Sequence, residues 1–455
     1  MRVAPPKTPW RRMRLVFALA ALVACNGGPA SGTVAAATFS APPGSMVLLS
    51  RSVPATASSG NASWAQDAVF AQFAPNHMWS CRGDCWLAYD LSSVPERLRN
   101  SLYLVLSFGG NVQYQLNVHA LAGVDLKGVP TGGYRIEGGT SSSGPWTPLV
   151  TVPSLAQASR VHQVDFKGYT WVRYVAAEAT KLKMDVYSAA DGVEEGLVFY
   201  GDSITNMQCV GLPQSWFSAG VAALKAGRFP PIVGGGIAFT TSMDGRDLIV
   251  KGSGDFSKDM GGALLDLYRP VAFVGLTFGA NDAAPGPNTN EKGFYDAYVD
   301  IIRAALAKGS KVVVATPTWA PDANRQIGLK RLVGRIGMHP KVVPDWAPGT
   351  YQVLDHVWRG GKVYRCNKAG TSASGPSGTA MDISDGGTAH WQYVPSLRET
   401  FAKEFSEGRV LAGPDLYSLF ADKPGWFADG VHPNATGSTA WQKAWVEWAV
   451  ANMYR

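Results

Sequence analysis

The run 196–205, Gly-Leu-Val-Phe-Tyr-Gly-Asp-Ser-Ile-Thr, constrains the fold of this chain more than any other stretch. Its apolar residues, bounded by glycines, read as a short buried strand, and Gly201-Asp202-Ser203 reads as the turn off the carboxyl end of that strand. In open α/β sheets that edge is where ligands sit. A serine lifted there off a rigid strand is placed for nucleophilic attack. Glycine, aspartate and serine are also ordinary turn formers, so the tripeptide alone leaves both readings open.

Downstream, short apolar runs alternate with amphipathic stretches. Strands are expected at 197–200, 231–233, 271–278 and 311–316, and helices at 216–225, 262–268, 291–308, 397–405 and 439–453. Strands alternating with helices argue for a parallel sheet covered on both faces. The rhythm breaks over 346–394, which is rich in glycine, serine and aromatic residues. A structureless loop of that length is unexpected inside a compact domain, so a small inserted β-module is expected there.

Upstream the pattern is all-β. Short runs at 102–107, 114–120, 134–137, 161–166, 171–176 and 182–187, separated by turn-forming clusters, suggest a β-sandwich over 66–190. Residues 38–65, rich in Ser, Ala, Pro and Gly, read as a tether leading into it. A chain of 455 residues is expected to divide into several such units.

Residues 1–37 read as an export leader. Arg2, Lys7, Arg11, Arg12 and Arg14 precede an apolar run at 15–24 that is too short to span a bilayer. Leu22-Val23-Ala24-Cys25 looks like a lipobox, with Cys25 lipidated, while Ala35-Ala36-Ala37 offers an ordinary cleavage site. The lipobox is favoured because Cys25 closes the apolar run directly. Either route exports the protein, lipid-anchored at the cell envelope or secreted, and the lipid is the one expected membrane contact. The formal charge of +7 drops to about +2 without those five basic residues, since no acidic residue precedes Asp67. Nothing strongly basic then remains to track a phosphate backbone, and no nucleic acid partner is expected. Cys81 and Cys85 are close enough in sequence for one bridge, while Cys209 and Cys366 stand alone. No metal or cofactor is expected: His77 is the only histidine near the cysteine pair, and His339, His356 and His390 lack ligand spacing.

Two further signals follow Ser203. Gly279-Ala280-Asn281-Asp282 comes directly after the apolar run 271–278, and Asp429-Gly430-Val431-His432-Pro433 shortly before the final helix. With Gly201-Asp202-Ser203-Ile204, these resemble the sequence blocks of the SGNH (GDSL) hydrolase family in type, order and place. The resemblance covers 196–455 less the insert. It implies a parallel-sheet, three-layer, flavodoxin-like α/β domain and a serine ester hydrolase. The chemistry accounts for the residue types. A serine hydroxyl needs a base within hydrogen-bond reach, and His432 is the candidate. Asp429 can turn back to its imidazole, fix the tautomer and stabilise the cation formed during attack. The oxyanion needs donors fixed beforehand. The Asn281 amide and the Ser203 backbone N–H match two family donors. A third is usually a glycine N–H after the second strand, where 233–241 offers several registers: Gly236 by residue type, Ala238 by its distance from Thr240. Asp202 and Asp282 are expected to hold the turns. No Gly-x-Ser-x-Gly elbow surrounds Ser203, which argues against an α/β-hydrolase.

Two other resemblances bear on the substrate. Tyr134-Arg135-Ile136-Glu137, Gly144-Pro145-Trp146, His162-Gln163-Val164-Asp165-Phe166 and Trp171-Val172-Arg173-Tyr174 resemble the discoidin-like, galactose-binding jelly rolls. This implies a glycan-binding or spacing role for 66–190; a structural sandwich packed on the catalytic domain is the alternative. Tyr351, Asp355-His356-Val357, the run 360–366 and Trp391 resemble small chitin- and cellulose-binding modules. These bind sugar faces on exposed aromatics, with Trp358 the expected platform and Tyr351, Tyr364 and Trp391 the expected core. The expected function is removal of acetyl or other acyl groups from a polysaccharide. A lipid or thioester substrate, or a surface glycan-binding protein with a vestigial hydrolase domain, are the alternatives.

Overall fold

The structure is a computed structural model that describes residues 46–66, 78–108, 132–153, 159–205, 232–236, 240–252, 263–267 and 271–453. The strand expected at 114–120 and the helix expected at 216–225 lie outside these residues, as do the leader and Cys209.

Five parallel strands lie in the order Ile232–Gly236, Leu197–Gly201, Phe273–Thr277, Lys311–Val314, Val410–Ala412. In chain order this is 2-1-3-4-5, the order of flavodoxin-like sheets, whose crevice opens between strands one and three. Every residue of Leu197–Gly201 is buried, and successive side chains go to opposite faces. Val198 and Tyr200 join a core with Phe294, Tyr298, Leu329 and Leu332 from the helices Glu291–Ala307 and Ala323–Ile336. Leu197 and Phe199 join Trp441 and Trp445 of the helix Ala435–Asn452, with Phe199 and Trp445 edge to face at 4.6 Å. Burial on both faces is why these strands read as continuous apolar runs. The helix expected at 291–308 runs Glu291–Ala307 behind an Asn290 cap. The strand Val410–Ala412 and the helix Ala323–Ile336 have no counterpart among the expected elements. No helix among the described residues is long and apolar enough to cross a membrane.

Two antiparallel sheets precede this unit. One contains Val47–Leu48, Thr180–Ser188, Ser101–Phe108 and Ser159–Asp165, with Trp79–Cys81 also paired to Thr180–Ser188. The other runs Ala55–Ala57, Cys85–Asp90, Trp171–Ala176, Tyr134–Gly139, Trp146–Val152. Leu102, Leu104, Leu106 and Phe108 of the first sheet share a core with Tyr134, Ile136, Val172 and Tyr174 of the second. The intervening Tyr103 and Val105 join the core of the parallel-sheet unit, so the first sheet is buried on both faces. Cys81 and Cys85 are disulfide-bonded, and Cys366 is free and buried.

The tether expected at 38–65 needs correction from residue 46 onward. Val47–Leu48 pairs with Thr180–Ser188, Ala55–Ala57 pairs with Cys85–Asp90, and the Met46 N–H donates to the buried Glu195 carboxylate at 3.0 Å. Met46, Val47, Leu48 and Leu49 are each at most 3% exposed. Burial of these four apolar side chains, about 1.5–3 kcal/mol each for the larger ones, outweighs the loop-like composition around them.

The insert contains the pair Gly349–Tyr351 and Gly370–Ser372 and a four-stranded sheet of His356–Arg359, Lys362–Lys368, His390–Val394 and Ile383–Ser384. Tyr364 and Trp391, with Tyr351 against them, build its small core. It docks on the helical flank through Glu291, whose carboxylate accepts from Arg331 at 2.8 Å, Arg335 at 3.2 Å and Arg365 of the insert at 2.8 Å. Burial alone would raise the Glu291 pKa, but Arg365, Arg331 and Arg335 together hold it below the usual range.

Replacing Glu291 with Gln leaves three guanidinium groups without their shared counter-charge. Losing one partner of a buried ion pair costs about 3–5 kcal/mol, so a loss of that size is expected in denaturant unfolding. A loss below about 1 kcal/mol would show that the clasp contributes nothing. Because the carboxylate is depressed, its contribution is present above the unfolded pKa and fades as pH falls through the folded one.

Candidate active site

Three turns meet at the carboxyl edge of the parallel sheet. Ser203 follows Leu197–Gly201, Asn281 follows Phe273–Thr277, and the segment 425–434 enters before the last helix. Gly201 is required by its neighbours: a Cβ there would sit 2.0 Å from Thr205 Oγ1 and 2.5 Å from Thr277 Oγ1. Those hydroxyls are hydrogen-bonded to each other across the two turns. Gly279 has φ +142, and a Cβ would meet Pro317 at 2.6 Å. Both positions demand the residue whose missing side chain allows such approach.

Asp202 ties the first two turns together. One carboxylate oxygen accepts the Ile204 N–H at 3.0 Å and the other the Ala280 N–H at 3.1 Å. The side chain is 1% exposed. Burial pushes its pKa up, against the opposing effect of those two N–H donors and of His432 and Arg325.

The residues more than two hundred positions apart are brought together. Ser203 Oγ lies 2.9 Å from His432 Nε2, and His432 Nδ1 lies 2.8 Å from Asp429 Oδ2. The other Asp429 oxygen accepts the backbone N–H groups of Val431 at 2.7 Å and His432 at 2.6 Å. Partial burial would raise the Asp429 pKa; these N–H groups and the imidazole outweigh it and bring it down to about 2. It is therefore ionised at neutral pH and accepts from Nδ1–H, leaving Nε2 as the acceptor for the serine proton. The loop is pinned on both sides: the Ala428 N–H donates to the His432 carbonyl at 2.9 Å, and the Asn434 side-chain amide donates to the Gly425 carbonyl at 2.8 Å.

Asn281 is half-buried, and one amide N–H donates to the Thr240 carbonyl at 2.9 Å. The amide has two such donors, so one remains for a ligand. Gly236 is buried at the end of its strand, in register with Gly201, while Ala238 lies outside the described residues. Asp282 accepts the N–H of Ser242 at 3.0 Å and its hydroxyl at 2.6 Å, fixing the start of the helix Ser242–Arg246 next to Thr240. Burial is the main cause that pushes the Asp282 carboxyl up to about 7, opposed by Ser242 and reinforced by the charge of Asp202.

Sequence reasoning missed Arg325. It stands in the first turn of Ala323–Ile336, capped by Asp322, and donates to the Ala280 carbonyl beside Asn281. Its charge is also felt by Asp202, and Asp429 in turn acts on Arg325. Nothing in the sequence around it marks that role. The Thr241–Asp244 capping box, which starts the neighbouring helix, was also missed.

Trp358 is not an open platform, a correction to its expected role. The ring packs on the cluster of Val343, Val363 and Val394, and the Arg398 guanidinium lies over it at 4.0 Å. Arg398 sits on the short helix Leu397–Thr400 that follows the insert, so the stacking surface is used internally. Among the described residues no group of three or more His, Cys, Asp or Glu is placed to hold a metal ion.

Asp282→Asn keeps an acceptor for Ser242 and removes a raised titration. A carboxyl with a raised folded pKa stabilises fully below its unfolded value, near 4, and loses that stabilisation as pH rises through about 7. The wild type should therefore lose stability relative to Asp282→Asn between about pH 4 and 7, read as the difference in unfolding midpoints. Parallel profiles would contradict a raised carboxyl.

No family model matches the chain, and no curated protein matches it either. Solved structures resemble it at low sequence identity. A Bacillus subtilis protein is 14% identical over 93% of this chain and 95% of its own, with a TM-score of 0.34. A GDSL-like lipase from Bacteroides thetaiotaomicron is 16% identical over 57% of this chain and 88% of its own, at 0.31. A family 32 carbohydrate-binding module from C. perfringens, solved in complex with galactose, is 16% identical over 31% of this chain and 99% of its own, at 0.22.

Proposed function

We propose that this chain is a serine ester hydrolase of the SGNH (GDSL) type that removes acetyl groups from a polysaccharide through an acyl-enzyme on Ser203. The observation that carries the reading is the hydrogen-bonded line from Ser203 Oγ through His432 to Asp429, set beside the Asn281 amide at one sheet edge.

In this mechanism His432 Nε2 takes the proton of Ser203 as its oxygen attacks the ester carbonyl, and Asp429 stabilises the imidazolium. The negative charge on the carbonyl oxygen is met by the free N–H of Asn281, the backbone N–H of Ser203 and a backbone donor following the second strand, Gly236 or Ala238. Collapse of the intermediate breaks the ester bond, and the leaving alcohol takes the proton from His432. Water then attacks the acyl-enzyme with the same ring as base, giving the free acid and restoring the serine.

The glycan part of the proposal draws on the resemblance of 66–190 and 346–394 to sugar-binding modules, the latter without Trp358 as its platform. The leader pattern of 1–37 and the Cys81–Cys85 bridge support a location outside the cytoplasm, with Cys25 as a lipid attachment point.

Ser203→Ala should lower hydrolysis of p-nitrophenyl acetate by about 10³-fold or more, and equal rates in the two proteins would defeat the esterase reading. Asp429→Asn should lower kcat by roughly 10²- to 10⁴-fold with KM retained, because it spoils the tautomer rather than binding. Acetate released from acetylated xylan, chitin, pectin and bacterial exopolysaccharide tests the substrate; release from none of them removes the polysaccharide.

A further inference from the structure

An open cleft of about 680 Å³ lies beside the loop that carries Asp429 and His432, lined by Trp319, Pro321, Gln326, Lys330, Tyr417 and Asp422, among others. That volume is in the range of about 300–1,000 Å³ that holds small ligands. The cleft shares a wall with the catalytic loop. Trp319 packs against Phe427, two residues before Asp429, with ring centroids 6.0 Å apart. Pro321 and Gln326 flank Asp322 and Arg325 in the chain. Asp322 Cβ lies within 3.8 Å of the Cβ position at Gly430, and Arg325 holds the carbonyl before Asn281.

The chemistry of the lining is mixed in a specific way. Tyr417, Pro321 and Pro424 supply apolar walls, backed by Trp319, which is only 8% exposed, while the Tyr417 hydroxyl, the Lys330 ammonium and the Asp422 carboxylate make no hydrogen bond or ion pair among the described residues. Asp422 is also held at φ +59, in the left-handed region that non-glycine residues seldom occupy. The Tyr417 ring and the proline faces, with nearby donors and acceptors of both charges, suit a neutral pyranose, whose C–H face packs on them and whose hydroxyls both donate and accept. A lipid chain would meet a carboxylate and an ammonium that it could not satisfy.

We propose that this cleft is a sugar-binding subsite that receives neutral pyranose units of the glycan on the alcohol side of the ester. The side follows from the loop that meets this wall at Phe427 and carries His432, the group that returns a proton to the leaving alcohol. The assignment of that side rests on the esterase reading; sugar binding itself does not.

The test is calorimetric titration of the full chain with xylotriose, chitotriose and a galacto-oligosaccharide, none of which carries an ester. Saturable binding of at least one is expected, weakened about tenfold by Lys330→Ala and by Asp422→Gly. Lys330 and Asp422 are exposed, and glycine suits the backbone at 422, so unchanged thermal midpoints should show that both variants fold. Lys403→Ala, on the exposed surface of another helix, should bind as the wild type does. Absence of binding by all three sugars, or equal affinity in the wild type and both variants, overturns the subsite. Failure of Ser203-dependent acetate release with binding intact would instead remove the esterase reading and leave the subsite standing.

Discussion

One buried carboxylate holds the site in its geometry. Asp202 accepts a backbone N–H from the serine turn and another from the turn that carries Asn281, so Ser203 and Asn281 are referenced to a single rigid group. The parallel register beneath them, with Gly201 level with both Gly236 and Thr277, brings three chain segments to the same height. Precision of this kind costs less on strand ends than on free loops, because the sheet has already lost the conformational freedom that a loop would have to surrender.

Electrostatics at this edge is a balance of anions against few cations. Asp202 and Asp282 are both nearly inaccessible, and the charge of Asp202 raises the cost of ionising Asp282. Arg325, itself partly withdrawn from water, is the cation placed among Asp202, Asp322 and Asp429. Asp429 differs from the two buried carboxylates because it is half-exposed and receives three N–H donors from its own loop. Three carboxylates beside Ser203, Asn281 and His432 thus have separate duties, set by what surrounds each rather than by residue type.

Much of this was legible in the sequence where a motif is local. Gly201-Asp202-Ser203, Asn281 and the pair Asp429 and His432 each sit directly after an apolar run or before a helix, and it was their resemblance, in order, to the SGNH (GDSL) blocks that led to their being expected together. The strand Val410–Ala412 is three residues long, too short for periodicity to register. Met46 to Leu49 were hidden by the Ser- and Pro-rich residues on either side, although their burial closes one edge of the sandwich. Trp358 was misjudged because an aromatic's exposure depends on what packs over it, and Arg398 is contributed forty positions later by a different element. Arg325 illustrates the same limit: its contact with Ala280 is a product of tertiary folding that no local pattern announces.

The insert leaves the parent fold by a narrow doorway. The Trp358 N–H donates to the Pro344 carbonyl, Trp358 pairs with Val363, and Val363 pairs with Val394, so the chain departs and returns through adjacent points. Lys311–Val314 and Val410–Ala412 are direct neighbours in the sheet despite the long excursion between them. The segment therefore behaves as a cassette: a lineage could acquire, exchange or shed it with the strand order of the host unaltered, and Glu291 would still retain two of its three arginines.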